Sequence, residues 1–416
     1  MNLTPSPFAP ASFPALPDVR GMRAAAGSRG FYARRGITRD DVFLAVFDPG
    51  TTCAGVYTRS LTASADVRWC RQALETGGGK AAALVANSGN SNAFTGPKGV
   101  LKNEATLKAL VETLGAAKEQ CFLAATGVIG EPLSDPNYVG AFVPELAGRL
   151  GTPDWEKMAR AFMTTDTYPK GAGTVASIEG TEVRFAGIAK GSGMIAPNMA
   201  TMLSYVFTDA AIAPELLQAA LKQVADETFN AITVDGDTST SDTLMVFATG
   251  ASGMAPVTSE DDLRFRAFTA ALKTVCLDLA MQVVKDGEGA SKVATITVED
   301  AASPASAKKI ACEIANSPLI KTAMAAGDAN WGRIVMAVGK AYEPIEADKL
   351  AIWFDDVQVA KDGARAPDYD EAAASAVFAK PEFAIRVSVG SGSGRATVWT
   401  CDLTHGYVDI NGAYRT

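Results

Sequence analysis

A glycine-rich segment that runs into a threonine is the part of the chain with the clearest chemical potential. Residues 190–203 read KGSGMIAPNMATML, and the apolar pattern that follows predicts a β-strand over residues 201–208. A threonine hydroxyl is a weak nucleophile unless a base lies beside it. If Thr201 became the first residue of a chain, its own α-amino group, with a pKa of about 7.7–8.0, would supply that base. The segment therefore predicts a self-cleaving enzyme in which the Thr201 hydroxyl attacks the carbonyl of Ala200 and water opens the resulting ester.

The scarcity of histidine favours this solution. His405 is the only histidine in the sequence, so a zinc site with several histidine ligands is excluded, and a catalytic triad would depend on His405. Residues 235–240 (DGDTST) resemble the start of a calcium-binding EF-hand loop. However, Thr240 stands where that loop needs glycine, and Val246 stands where it needs glutamate. We therefore predict no metal and interpret these residues as a turn close to the site.

A nucleotide-binding loop is an alternative of a different class. Gly191, Gly193 and Ala196 fit the pattern G-x-G-x-x-A, which binds a pyrophosphate when a helix begins immediately after the glycines. Here Pro197 and Asn198 interrupt the segment, and a strand is predicted next. An uncleaved, glycine-rich nucleotide-binding module is thus the less favoured hypothesis.

The amino-acid composition limits the classes of binding partner and the cellular compartment that we expect. The 416 residues include 38 basic and 46 acidic side chains, for a net charge of −8, so nothing favours binding to nucleic acid or to an anionic membrane. We expect no secretory signal, and no unbroken apolar run approaches the roughly 18 residues of a membrane span. Six scattered cysteines without a CxxC pair are typical of free thiols in a reducing compartment, which predicts the cytoplasm.

The periodicity of apolar residues predicts a mixture of helices and strands. Helices are predicted over residues 101–118, 214–229 and 306–325, and after an N-cap box at residues 259–262. Alternating patterns predict strands over residues 183–189 and 243–249, and a hairpin in which strands 383–389 and 395–403 flank the GSGSG turn. Since regular βαβ spacing is missing, an α+β fold is predicted.

The segment around Thr201 resembles the ornithine acetyltransferase (glutamate N-acetyltransferase) family, and so do seven further segments. They occur in the same order as in that family and span almost the whole chain. The seven further segments are ANSGNSNAFTG (86–96), ATGVIG (125–130), TTDTYPK (164–170), TVDGDTSTSDT (233–243), DGEGASK (286–292), GDANWGRI (327–334) and VWTCDLTHGYVDINGAYRT (398–416). The resemblance implies a layered α/β/β/α sandwich of the ornithine acetyltransferase and self-cleaving aminopeptidase type. It also implies an α chain of residues 1–200 and a β chain of residues 201–416 that share one catalytic fold and assemble as an α2β2 heterotetramer.

The resemblance also implies an activity and a set of site residues. The acetyl group of N2-acetylornithine would pass to Thr201 and then to glutamate, in arginine biosynthesis and without a cofactor; some members also use acetyl-CoA as donor. An amidase or aminopeptidase of the same fold, or an acetyltransferase of a secondary pathway, is the alternative. Thr126 and Gly127 correspond to the oxyanion hole, and the predicted substrate-binding residues are Thr167, Lys190, Thr201, Glu288, Asn411 and Thr416.

Some positions depart from the family pattern. Gly412 and Ala413 replace the usual alanine and aspartate, Ala231 replaces a common arginine, and Ser241 replaces a usual asparagine. Gly412 and Ala413 lie between Asn411 and Thr416, so they bear on how the tail closes the site and on which acyl acceptor fits.

Overall fold

Two β-sheets lie face to face in the part of the chain that carries the predicted site. The structure is a computed structural model and describes residues 4–33, 36–196 and 202–412. The first sheet has the spatial order β1 (Met22–Gly27), β2 (Val42–Phe47), β4 (Ala83–Asn87) and β5 (Cys121–Ala125). The second has the order β3 (Thr52–Tyr57), β10 (Thr243–Ala248), β8 (Leu203–Thr208), β7 (Thr181–Lys190) and β6 (Lys170–Ile178).

Aromatic side chains and alanines make up most of the core between the two sheets. Along β2, alternate residues point to opposite faces, so Phe43 and Phe47 meet the second sheet while Leu44 faces outward. Phe47 stacks on Phe247 with 4.5 Å between ring centroids, and Phe43 meets Tyr205 edge to face at 5.8 Å. Large interlocking rings of this kind fix how the two sheets are stacked.

Helices cover the outer faces of both sheets. The first sheet is covered by α2 (Gly96–Leu114) and α3 (Val143–Ala147), and the second by α5 (Pro214–Glu227) and α6 (Leu263–Lys285). The helices α1 (Ala65–Thr76) and α4 (Trp155–Ala161) contribute to the core between the sheets. The layer order is therefore α/β/β/α, which confirms the predicted α+β sandwich.

Helix α6 is the one helix of the described ranges that is long and apolar enough to cross a membrane by length and composition alone. It has 23 residues, begins after the N-cap Asp262, which is the last residue of the predicted N-cap box, and packs its apolar side on β6, β7 and α5. Half of its most apolar window is buried inside the protein. Its hydrophobicity is thus accounted for by its place in the core.

A third sheet follows, which the sequence did not predict as a unit. Its order is β14 (Ala364–Arg365), β13 (Val357–Lys361), β12 (Ala351–Phe354), β15 (Glu382–Ser388), β11 (Val293–Ala301), β16 (Gly394–Cys401) and β9 (Ile232–Thr233). With it pack α7 (Pro304–Ala315), α8 (Pro318–Ala326), α9 (Trp331–Gly339) and α10 (Glu371–Phe378), and α11 (His405–Asn411) returns to the site.

Two predictions in this region were wrong. The strands β15 and β16 do not form a hairpin, because β11 lies between them, parallel to β15 and antiparallel to β16. The GSGSG turn instead crosses the end of β11, where the N–H groups of Ser391 and Gly392 donate to the carbonyl of Asp300. The helix predicted over residues 306–325 is two helices, since Pro318 begins a new one.

Candidate active site

A cavity of about 230 Å³ lies where β5 and β7 end and where β8 and β10 begin. Its lining includes most of the predicted site residues that the structure describes, namely Thr126, Gly127, Lys190, Glu288 and Asn411. Ala200, Thr201 and Thr416 lie outside the described residues. Met202, which is covalently bonded to Thr201, also lines the cavity and is buried. Segments far apart in the sequence therefore meet beside the residue that follows the predicted nucleophile.

The turn after β5 carries the predicted oxyanion hole. The N–H of Thr126 donates to the carbonyl of Asn87 (3.0 Å), which fixes the chain as it leaves the strand. Gly127 has φ of 131°, and a Cβ there would lie 2.6 Å from the carbonyl carbon of Gly89. Only glycine fits this position. Within the described ranges, the Gly127 N–H and the Thr126 hydroxyl donate to no protein acceptor, so both remain available to a ligand oxygen.

Glu288 follows the C-terminal end of α6 and is buried. Its backbone N–H donates to the carbonyl of Ser192 (2.9 Å), and its Oε2 accepts from the amide of Asn411 (2.6 Å). Burial raises the pKa of Glu288, against hydrogen bonds from Asn411 and Thr165. A Cβ on Gly193 would lie 2.5 Å from Glu288 Oε2, so any larger residue at that position would displace this carboxyl group from its place under the glycine-rich loop.

Asp235 holds the glycine-rich loop from the opposite side. Its carboxylate accepts the N–H groups of Met194 (2.7 Å), Ile195 (2.9 Å) and Asp237 (3.1 Å). Met194 has φ of 55°, an uncommon conformation for a residue with a side chain, and these bonds maintain it. Burial raises the pKa of Asp235, which these bonds oppose. Across the described residues, no group of three or more His, Cys, Asp or Glu side chains could hold a metal ion.

A fully buried charge cluster supports the same loop from below. The ammonium of Lys170 lies 2.7 Å from Asp166 Oδ1 and 2.6 Å from Asp286 Oδ2, and Asp166 also accepts the N–H of Gly191 (2.7 Å). Burial opposes ionisation of Asp166, but the charges of Lys170 and Lys190 hold its pKa below the ordinary value. Burial, together with the Asp166 carboxylate, raises the pKa of Asp286 against the effect of Lys170.

Thr167 lies apart from the other predicted residues. Its hydroxyl donates to Asp286 and accepts the N–H of Ser6 (2.9 Å). It lines a second cavity of about 500 Å³ beside the N-terminal segment, and Glu288 and Thr165 border both cavities. The structure thus places Thr167 behind Glu288, seen from the first cavity.

The remaining positions of interest are distributed around the cavity. Ser241 lines it, Ala231 is buried in the core of the third sheet, and Gly412 caps α11, while Ala413 lies outside the described residues. His405 is the exposed first residue of α11. The sequence reasoning missed Asp242 and Tyr407, which also line the cavity. Asp242 is the last but one residue of the quoted segment 233–243, and its place in that segment is the signal that could have identified it.

Comparisons with known proteins agree over the whole length. The model of the ArgJ family matches residues 24–416. The arginine biosynthesis bifunctional proteins ArgJ of Bradyrhizobium diazoefficiens and Rhizobium meliloti are 52% and 53% identical, and each match covers 100% of both chains. A solved chain of the corresponding protein from Bacillus halodurans is 38% identical with a TM-score of 0.48, over 50% of this chain and 96% of that one.

Proposed function

The chain belongs to the ArgJ family, and on that premise we propose that it is a self-cleaving acetyltransferase of arginine biosynthesis. It transfers the acetyl group of N2-acetylornithine to glutamate through an ester on Thr201. The observation that supports this best is the convergence of Thr126, Gly127, Lys190 and the Glu288–Asn411 pair on one cavity, beside the residue that follows Thr201.

Self-cleavage creates the nucleophile in this proposal. The Thr201 hydroxyl attacks the carbonyl carbon of Ala200, the C–N bond breaks as the nitrogen takes up the proton, and water hydrolyses the ester. The positive φ of Met194 and the hydrogen bonds that the N–H groups of Met194 and Ile195 donate to Asp235 support this step, because they fix the backbone a few residues before the scissile bond. Residues 1–200 and 201–416 then become separate chains.

Acetyl transfer follows in two half-reactions. The Thr201 hydroxyl gives its proton to its own amine and attacks the acetyl carbonyl, and ornithine leaves with that proton on its nitrogen. The N–H of Gly127 and the hydroxyl of Thr126 stabilise the oxyanion, a contribution that is typically about 3–4 kcal/mol per donor. The amine of glutamate then attacks the ester, which yields N-acetylglutamate and restores Thr201.

The charged groups of the cavity suit amino-acid substrates. Lys190 and Glu288 both line the cavity, and Glu288 accepts a hydrogen bond from Asn411. In this proposal Lys190 binds an α-carboxylate and the Glu288 carboxyl group binds an ammonium. We propose that Thr167 acts from behind Glu288 and that Thr416 completes the site from the tail. A cytoplasmic α2β2 assembly and a second activity with acetyl-CoA are parts of the same proposal.

Electrophoresis under denaturing conditions tests the cleavage. The wild-type protein should give two bands, each near half of 43.2 kDa, whereas Thr201→Ala should remain full length and inactive. Thr201→Ser, which keeps a hydroxyl, is the matched control and should still be cut. Cleavage of the Thr201→Ala variant would show that an external protease acts, and an uncut wild-type protein would refute self-cleavage.

Product analysis separates the possible acyl acceptors. N2-acetylornithine with glutamate should yield N-acetylglutamate and ornithine. Release of free acetate alone would favour the amidase alternative, in which water is the acceptor. Rates with acetyl-CoA and glutamate then decide between one activity and two. Micromolar binding of an adenine or nicotinamide nucleotide would instead support the nucleotide-binding module.

A further inference from the structure

Asp242 is a buried acid of the cavity that the proposed mechanism leaves unused. It is 2% exposed and directly precedes β10. The N–H of Thr243 donates to the carbonyl of Met202 (2.9 Å), and β10 runs parallel to β8 with Thr243 opposite Leu203. Asp242 therefore lies beside Met202, one covalent residue away from position 201.

The carboxyl group of Asp242 is only half satisfied. Ser239 lowers the pKa of this carboxyl group through hydrogen bonding, but Oδ2 has no hydrogen-bond partner among the described residues. Lys190, at the end of β7 and two strands away from β10, is the charged group that acts on it, and the backbone carbonyl of Asp242 accepts the N–H of Thr58. A buried polar atom without a partner is costly, so its retention next to a site suggests that a group still to arrive satisfies it.

Burial raises the pKa of Asp242 well above the ordinary value of a carboxyl group, against hydrogen bonds from Ser239 and the charge of Lys190. In the chain as described, burial thus disfavours the charged form of this carboxyl group. An amine placed at Oδ2 would change this, since a carboxyl group and an amine in contact share a proton and each stabilises the charged form of the other.

We propose that Asp242 is a positioning residue for the α-amino group that scission between residues 200 and 201 creates. This inference rests on the proposed function, because without scission no such amine exists. The carboxyl oxygen Oδ2 accepts a hydrogen bond from the new amine and holds it towards the hydroxyl that it must deprotonate. Before scission the same nitrogen is an amide, so Asp242 serves turnover and not cleavage.

The sign of the pH effect follows from the charges. A carboxylate at the amine favours the ammonium form and raises the pKa of the amine. Catalysis needs the free amine, so this pKa appears as the acidic limb of the profile of kcat/KM against pH. Asp242→Asn removes the negative charge, which should move that limb to lower pH by about 1 unit. The loss of orientation should lower kcat by about 10²-fold at the optimum.

The experiment compares Asp242→Asn with wild type and with Asp356→Asn, an identical change at an exposed residue of the turn between β12 and β13, away from the cavity. Cleavage is read from the two bands, and transfer from N-acetylglutamate formed out of N2-acetylornithine and glutamate at pH values between 5.5 and 9. We expect Asp242→Asn to be cut completely, to lose activity and to shift its acidic limb. Asp242→Glu should recover part of kcat and the wild-type limb, and Asp356→Asn should match wild type.

Each other outcome overturns the inference. If Asp242→Asn is cut and matches wild type in rate and pH profile, the amine does not depend on this carboxyl group. If it remains uncut, Asp242 acts before the amine exists. A purely structural role would lower the unfolding temperature and the rate without moving the limb. Should Asp242→Asn not fold, Asp242→Ser, which is smaller and leaves no carboxyl group, is judged by the same criteria. Failure of the wild-type protein to cleave or to transfer acetyl would refute the proposed function itself.

Discussion

Replacing Lys170 by methionine tests how the glycine-rich loop is supported. Methionine keeps most of the apolar stem of the lysine but removes the ammonium that lies between Asp166 and Asp286. All three side chains are fully buried, so neither carboxylate can turn to water. The variant therefore leaves two like charges facing each other in the interior.

The expected loss of stability is large. Removing one partner of a buried ion pair typically costs about 3–5 kcal/mol, because the other charge stays buried without compensation. The matched control is Lys349→Met, which removes the ammonium 2.7 Å from Glu346, a pair with side chains 62% and 50% exposed. Exposed pairs contribute about 0–1 kcal/mol, so the two variants should differ clearly.

The penalty should also depend on pH. In the wild-type protein the pKa of Asp166 is lowered relative to its unfolded value. The ionised Asp166 therefore contributes to the free energy of unfolding at pH values above the ordinary pKa of a carboxyl group, and this contribution is lost only in strong acid. Without Lys170, burial and mutual repulsion should raise the folded-state pKa of the two carboxyl groups above the unfolded values. Stability then falls as pH rises through that range, and the penalty should be greater at pH 7 than at pH 5.

Urea unfolding at both pH values measures this prediction. The Thr201→Ala background keeps the protein as one chain under the proposed mechanism, so the unfolding remains unimolecular. A penalty at pH 7 below about 1 kcal/mol, equal to that of the Lys349→Met control, would refute the reasoning. A large penalty that is the same at both pH values would show that lost packing, and not buried charge, is responsible.

Three further predictions concern the site. The Glu288→Gln variant should be cut normally. Its KM for N2-acetylornithine should rise about tenfold or more, because an amide cannot balance the positive charge of an ammonium group. Steady-state kinetics measure this, and an unchanged KM would show that Glu288 does not bind ornithine. Asp235→Ala should slow self-cleavage, because the N–H groups of Met194 and Ile195 lose their acceptor. The cleavage rate is followed by band intensities over time. Equal cleavage rates for Asp235→Ala and Asp237→Ala would contradict this prediction. Gly127→Ala should reduce kcat by about 10²-fold or more and should lower the unfolding temperature, because the new Cβ would collide with Gly89. If this variant has the kcat and KM of the wild-type protein, the turn is not the oxyanion hole.

Local patterns predicted the elements whose signals are contained within one segment. The N-cap and apolar stripe of α6 fixed its position, and β7, β8 and β10 were found to within two residues. The pairing of β15 and β16 could not be predicted, because β11 enters between them from nearly a hundred residues earlier. Adjacent strands with a short glycine turn favour a hairpin on local grounds, and the tertiary order overrides them.

The site shows the same division. The resemblance supplied Thr126, Gly127, Lys190, Glu288 and Asn411, and the structure brings them together. The side chains that hold them in place were not predictable, because Lys170 joins Asp286 across 116 positions of sequence and no spacing relates the two. Asp235 was expected near the site, but its three backbone partners depend on the path of the glycine-rich loop.

The antiparallel pairing of β7 with β8, with Lys190 opposite Leu203, bears on the order of events in the cell. The proposed scission falls between these neighbouring strands, so each product would own part of a single sheet. Fragments that separated would each expose an unsatisfied strand edge and the aromatic core, which invites aggregation. Under the proposed mechanism the chain would therefore have to fold before it is cut, and only a copy with correctly paired strands would acquire a nucleophile. Scission would then act as a checkpoint that withholds activity from misfolded copies.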